Sequence, residues 1–133
     1  MRIVIAALLF APAAALASSA FDGTWRVRPD SVKTTGKPDV MVVADGIYTC
    51  PSCAPEVKVK ADGTDQAVTG HAYYDTVAVT VLSPTSVQIS NKKAGKPSWD
   101  LTYTVSADGK TIEVTDNDVI HHQIVTFTLD KQE

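Results

Sequence analysis

The sequence predicts an all-β protein, an antiparallel meander of eight to ten short strands closed as a small up-and-down barrel. Three observations predict it. Past residue 21 apolar residues recur at every second position in short β-branched runs, and hardly a stretch has helical spacing. Short polar turns, several built on Asp-Gly, join each run to the next. Parallel pairing needs crossover helices, and none is visible, so the runs pair antiparallel with their chain neighbours. Alternation of this kind leaves one apolar face that something must cover. Without helices the sheet curls onto itself, and sequential hairpins favour a barrel over a sandwich.

Residues 1–20 read as a cleaved export signal. Arg2 supplies the positive start, Ile3 to Leu16 is an almost unbroken apolar run, and Ala15-Leu16-Ala17 and Ser18-Ser19-Ala20 offer small-x-small cleavage patterns. The run is too short, and ends in residues too small, for a membrane span. The expectation is an exported protein, periplasmic or secreted, with one barrel-like domain over residues 21–133 and no integral membrane segment. No cysteine follows the cleavage region, which argues against a lipid anchor. Removing the leader takes Arg2 and leaves eleven basic against fifteen acidic residues, a net charge of −4. The basic residues form no continuous patch, so nucleic acid is not an expected partner, nor is an anionic membrane surface.

The elements follow in order. Trp25-Arg26-Val27-Arg28 alternates in and out, and Pro29 to Pro38 reads as a loop. Val40 to Val43, the turn Asp45-Gly46, and Ile47 to Cys50 form a hairpin. Val57 and Val59 face inward between Lys58 and Lys60, and Asp62-Gly63 closes that strand. Thr76 to Leu82 and Ser86 to Ser90 form a second hairpin around Ser83-Pro84-Thr85, with Val77, Val79 and Val81 on one face. Ala94-Gly95-Lys96-Pro97 reads as a loop. Leu101 to Val105 and Thr111 to Thr115 pair around Ala107-Asp108-Gly109-Lys110, and the last strand runs from Ile124 to Leu129. The inward set is expected to include Val77, Val79, Tyr103, Val105, Ile112, Val114, Val125 and Phe127.

Phe21-Asp22-Gly23-Thr24-Trp25 resembles the Gly-x-Trp opening strand of lipocalins and the wider calycin superfamily, including avidin-like barrels. The resemblance implies a structural Trp25 packed across the closed end of a barrel. It covers five residues plus the meander pattern. The later lipocalin motifs have no counterpart here, and avidin-like sites use several Trp where this chain has Trp25 and Trp99. Ala61-Asp62-Gly63-Thr64-Asp65, Val68-Thr69-Gly70-His71, Tyr73-Tyr74-Asp75-Thr76 and Lys92-Lys93 resemble a group of small exported bacterial β proteins of unassigned activity. That second resemblance implies a compact β domain and no functional residue.

Cys50-Pro51-Ser52-Cys53 is the sharpest chemical motif. An exported chain favours a structural disulfide between Cys50 and Cys53. A thioredoxin-type redox pair would need a helix N-terminus, and the pair follows a strand. Half of a zinc site would need His71, His121 or His122 to converge on the thiolates. Residue 54 is Ala, which excludes covalent haem attachment. Strand parity with Val125 and Phe127 points His121 inward and His122 outward, so His121 reads as a ligand contact or as a satisfied interior polar group. His71 reads as solvated in a turn. Asp116-Asn117-Asp118 lacks the glycine and later Glu of a calcium loop and reads as a polar turn. Of Tyr73 and Tyr74, one ring packs inside and the other lies on the rim.

No Gly-x-Ser-x-Gly context supports a hydrolase, and no glycine loop cradles phosphate. The expected function is a non-catalytic binding module without catalytic residues, metal or cofactor, taking a small apolar or amphipathic ligand near Tyr73, Tyr103 and His121. The alternative is a structural or protein-interaction domain, accessory or envelope-associated, without a small-molecule ligand. A thiol-based enzyme is the third reading.

Overall fold

The computed structural model describes residues 19–32 and 39–133. The leader expected over residues 1–20 lies outside them apart from Ser19 and Ala20, as does part of the Pro29–Pro38 loop. Ten strands form: β1 (Gly23–Val27), β2 (Val40–Ala44), β3 (Ile47–Cys50), β4 (Val57–Lys60), β5 (Gln66–Ala67), β6 (Thr76–Ser83), β7 (Ser86–Lys93), β8 (Lys96–Val105), β9 (Thr111–Asp118) and β10 (Gln123–Lys131). A single 3-10 turn, Pro29–Ser31, is the only helical element among the described residues. All strands belong to one sheet, in the order β4-β3-β2-β1-β10-β9-β8-β7-β6-β5. Every ladder is antiparallel, as the alternating pattern and the short turns require.

The first and last strands close the meander. Trp25 pairs with Lys131 and Val27 with Leu129. The open seam therefore lies in mid-chain, between β4 and β5, and a side chain bridges it. The Lys60 N–H donates to Gln66 Oε1 and Gln66 Nε2 donates to the Lys60 carbonyl, both at 2.8 Å. One carboxamide thus occupies the place of a paired backbone and satisfies the edge groups that a sheet leaves exposed. Nearby, the Gly63 N–H donates to the Val79 carbonyl at 2.8 Å, tying the loop after β4 to β6. The result is a nearly closed barrel.

The inner face is built as the alternation demands. Trp25, Val77, Val79, Val105, Ile112, Val114 and Leu129 are buried on it. Trp25 donates its indole N–H to the Phe21 carbonyl at 2.8 Å, and the Lys131 ammonium lies 5.3 Å from its ring centroid. The buried ring thus has its polar atom satisfied and one face against a cation. Burying such a side chain stabilises the fold by about 3 kcal/mol.

Three expectations need correction. Ala94-Gly95-Lys96-Pro97 is not a four-residue loop: Ala94 and Gly95 alone turn the chain, both at positive φ (50° and 74°), and Lys96 already begins β8. Pro97 is tolerated there because the β7–β8 register shifts just beside it, leaving Ser98 as the extra residue between Pro97↔Lys92 and Trp99↔Asn91. Asp116-Asn117-Asp118 is not a turn but the end of β9. Finally, Val125 is 41% exposed although its parity matches Phe127, because the end of the β9–β10 hairpin runs beyond the covered interior. Val81, at the opposite turn of β6, is exposed for the same reason.

Candidate functional site

The inner face does not fill the barrel completely. A cavity of about 260 Å³ remains, lined from β1, β2, β3, β4, β6, β7, β8, β9 and β10 and by residues beside them. A smaller one of about 100 Å³ lies towards Phe21. Met41, Tyr48, Ile89 and Tyr103 line both, so this belt forms the wall between the two compartments. The larger cavity has an apolar body made by Val27, Val57, Val77, Leu101, Phe127 and Leu129. Set into it are the polar groups of Asp39, Tyr48, Tyr74, Asn91, Trp99, Tyr103 and Asp116.

Local structure explains how each polar group arrives there. Extending the inward parity of Ile112 and Val114 by one step reaches Asp116, and extending that of Tyr103 and Leu101 reaches Trp99. Trp99 donates its indole N–H to Asp116 Oδ1, so the two side chains form one unit. Asn91 follows Ile89 on β7 and donates to the Trp99 carbonyl at 3.3 Å, beside the register shift. Asp39, at the start of β2, accepts from Ser52 Oγ at 3.3 Å, and Ser52 also accepts from the Val40 N–H at 2.9 Å. These bonds hold the Cys50–Cys53 loop against β2.

Cys50 and Cys53 are joined as a disulfide, with Cα atoms 5.4 Å apart, and both form part of the cavity wall. The bond removes both sulfurs from thiolate chemistry. Among the described residues, no three His, Cys, Asp or Glu side chains gather to hold a metal ion.

Burial pushes the Tyr103 hydroxyl well above the usual phenol range, with the charges of Tyr48, Asp116 and Asp39 acting the same way. Tyr48 is raised by burial first and by Tyr74 and Asp39 next, and Tyr74 by burial and Asp39. All three hydroxyls stay protonated near neutral pH, so they serve as hydrogen-bonding groups rather than as bases. Burial also raises Asp116, opposed by the Trp99 N–H and reinforced by the neighbouring Asp118 charge.

The expected site residues divide. Tyr103 is buried in the belt and lines the cavity. Tyr74 is the inner ring of its pair. Tyr73 is 58% exposed and lies outside the lining, though its ring meets Trp99 edge-on at 6.4 Å. His121 is the clear correction. It sits in the turn Val119–His122, outside the cavity, with its side chain 58% exposed. Strand parity does not reach it, because β10 begins only at Gln123 and His122 takes a positive φ of 54°. Its N–H donates to Asp118 Oδ1 at 2.9 Å, and its Nδ1 lies 2.6 Å from Oδ2. His71 is not simply solvated either: its ring stacks on Tyr74 with centroids 4.4 Å apart.

Tyr48, Trp99, Asn91, Asp39 and Asp116 are polar or aromatic lining residues that sequence reasoning missed. Parity was the available signal for Trp99, Asn91 and Asp116. No protein-family model matches the chain, and no curated protein matches it. The architecture is compatible with a calycin-like barrel. Among the described residues, no helix is long and apolar enough to cross a membrane.

Proposed function

We infer that the protein is an exported, non-catalytic binding module that holds a small amphipathic molecule inside the barrel. The supporting observation is the cavity itself: about 260 Å³, mostly apolar, with a few convergent polar groups, which is the usual character of a small-molecule site. An apolar cavity of about 150 Å³ admits benzene, so this one suits a single ring with a short polar tail rather than a long acyl chain. The likeness to small exported bacterial β proteins and to calycin barrels fits the reading and supplies no ligand.

Native mass spectrometry of protein purified from its own host tests it. A bound small molecule released on unfolding supports the reading. Ligand-free protein that also fails to take up a neutral fluorescent amphiphile counts against it. N-terminal sequencing of the protein recovered outside the cytoplasm tests export, with a mature end near Ser18 or Phe21 expected.

One observation favours the interaction-domain reading. Ile120, Ile124 and Val125 are exposed together at the β9–β10 turn. A stable homodimer or a co-purifying partner, lost when Ile124 becomes Ser, would support it.

A further inference from the structure

We propose that the ligand is an organic cation, an ammonium group carried on a small apolar or aromatic body, bound with its charge beside Asp116 and the rings of Trp99 and Tyr74. This inference rests on the small-molecule reading above and names the chemistry of that ligand.

The cavity has a charge of one sign. Asp39 and Asp116 line it, and of the described residues in its wall none is Lys, Arg or His. Asp116 is half-buried, and the neutral Trp99 N–H is its hydrogen-bond donor among the described side chains. The charge that acts on it is Asp118, of the same sign, whose own carboxylate is already engaged by His121. A partly buried carboxylate without a counter-charge is costly, and a ligand cation would supply the missing partner.

The aromatic groups agree with the charge. Trp99, Tyr74 and Phe127 line the same space, with one face of Tyr74 stacked on His71, and ring faces attract cations, Trp most strongly. The Tyr48 and Tyr103 side chains, only 9% and 7% exposed, also line it. Their hydroxyls bond to each other within the cavity wall. They offer neutral oxygens to an ammonium N–H. A carboxylate ligand of the same size would instead meet two like charges with no basic side chain to offset them.

The test uses three probes that share one ring and one chain length: phenylpropylamine, phenylpropanol and phenylpropionate. Each is titrated into the isotopically labelled full-length protein at neutral pH, and Kd is read from the amide shifts of cavity residues. The amine is expected to bind about tenfold more tightly than the alcohol, the step that one modest charge interaction supplies, and the propionate more weakly than either. Asp116→Asn keeps an acceptor for Trp99 and should bring the amine's Kd to within about twofold of the alcohol's in the same variant, a ratio too small to reflect a charge interaction. Asp39→Asn, at an exposed carboxylate, provides a second variant that does not depend on the core and should weaken the amine to a smaller degree.

Equal affinity for amine and alcohol, or a preference for the propionate, overturns the cation inference and leaves the binding module standing. An amine preference unchanged in both variants overturns the assignment to these carboxylates. No cavity shift with any probe overturns both readings together.

Discussion

Closing the barrel with a side chain makes Gln66 the most telling residue to perturb. Its carboxamide makes two hydrogen bonds to the Lys60 backbone, and no strand ladder joins β4 to β5. Each bond contributes about 0.5–1.5 kcal/mol net, and both are solvent-exposed, so the lower half of that range applies. Gln66→Ala is therefore expected to destabilise the protein by about 1–2 kcal/mol, or about 4 °C in Tm per kcal/mol for a domain of this size. Gln66→Glu should fall on the same side, because a carboxylate still accepts from the Lys60 N–H but sets an oxygen against its carbonyl. Urea unfolding of the three proteins gives the change in midpoint. Native-state hydrogen exchange at the Lys60 amide then shows whether the loss is local, with about tenfold faster exchange for each 1.4 kcal/mol. An unchanged midpoint together with unchanged Lys60 protection in Gln66→Ala would refute the role assigned to the seam.

Other outcomes follow from burial and covalent structure. Ile112→Ala, at a fully buried position opposite Leu129, should cost about 2–5 kcal/mol and lower the urea midpoint with little change in m-value. Because the Tyr48 and Tyr103 hydroxyls are held above the ordinary phenol range, mainly by burial, the folded state retains protons that the unfolded state releases. That contribution is fully present below about pH 10 and falls as pH rises further, so an absorbance titration should show these two hydroxyls ionising only together with alkaline unfolding. Replacing Cys50 and Cys53 both with Ala should cost about 2 kcal/mol, the chain-entropy value for so short a loop, measurable by thermal unfolding.

The fold was largely legible because its signal is local. Val77, Val79, Ile112 and Val114 alternate with polar residues, and Asp45-Gly46 turns the chain where positive φ is needed, with values of 51° and 72°. Each feature depends on a few neighbouring residues and no distant partner. The errors arose where local rules meet a long-range condition. Parity counted from Val125 back to His121 crosses the turn Val119–His122, which interrupts it. Parity counted forward from Val114 does reach Asp116, but three consecutive polar residues imitate a turn there. The sequence of Ala94-Gly95-Lys96-Pro97 reads as a loop because the register shift that admits Pro97 to a strand lies at Asn91 and Lys92 of the neighbouring strand.

What the chain determined by itself is the alternation: which side chains face one way, where it reverses, and hence an antiparallel all-β meander. Periodicity and turn chemistry act over a few residues, so they can be read in order. Only the tertiary structure decided that β1 closes on β10, that Gln66 spans the seam, and that Asp39, Tyr74, Trp99 and Asp116 share one space. Those residues come from distant parts of the chain, and what brings them together is the curvature of the whole sheet, which no single segment encodes.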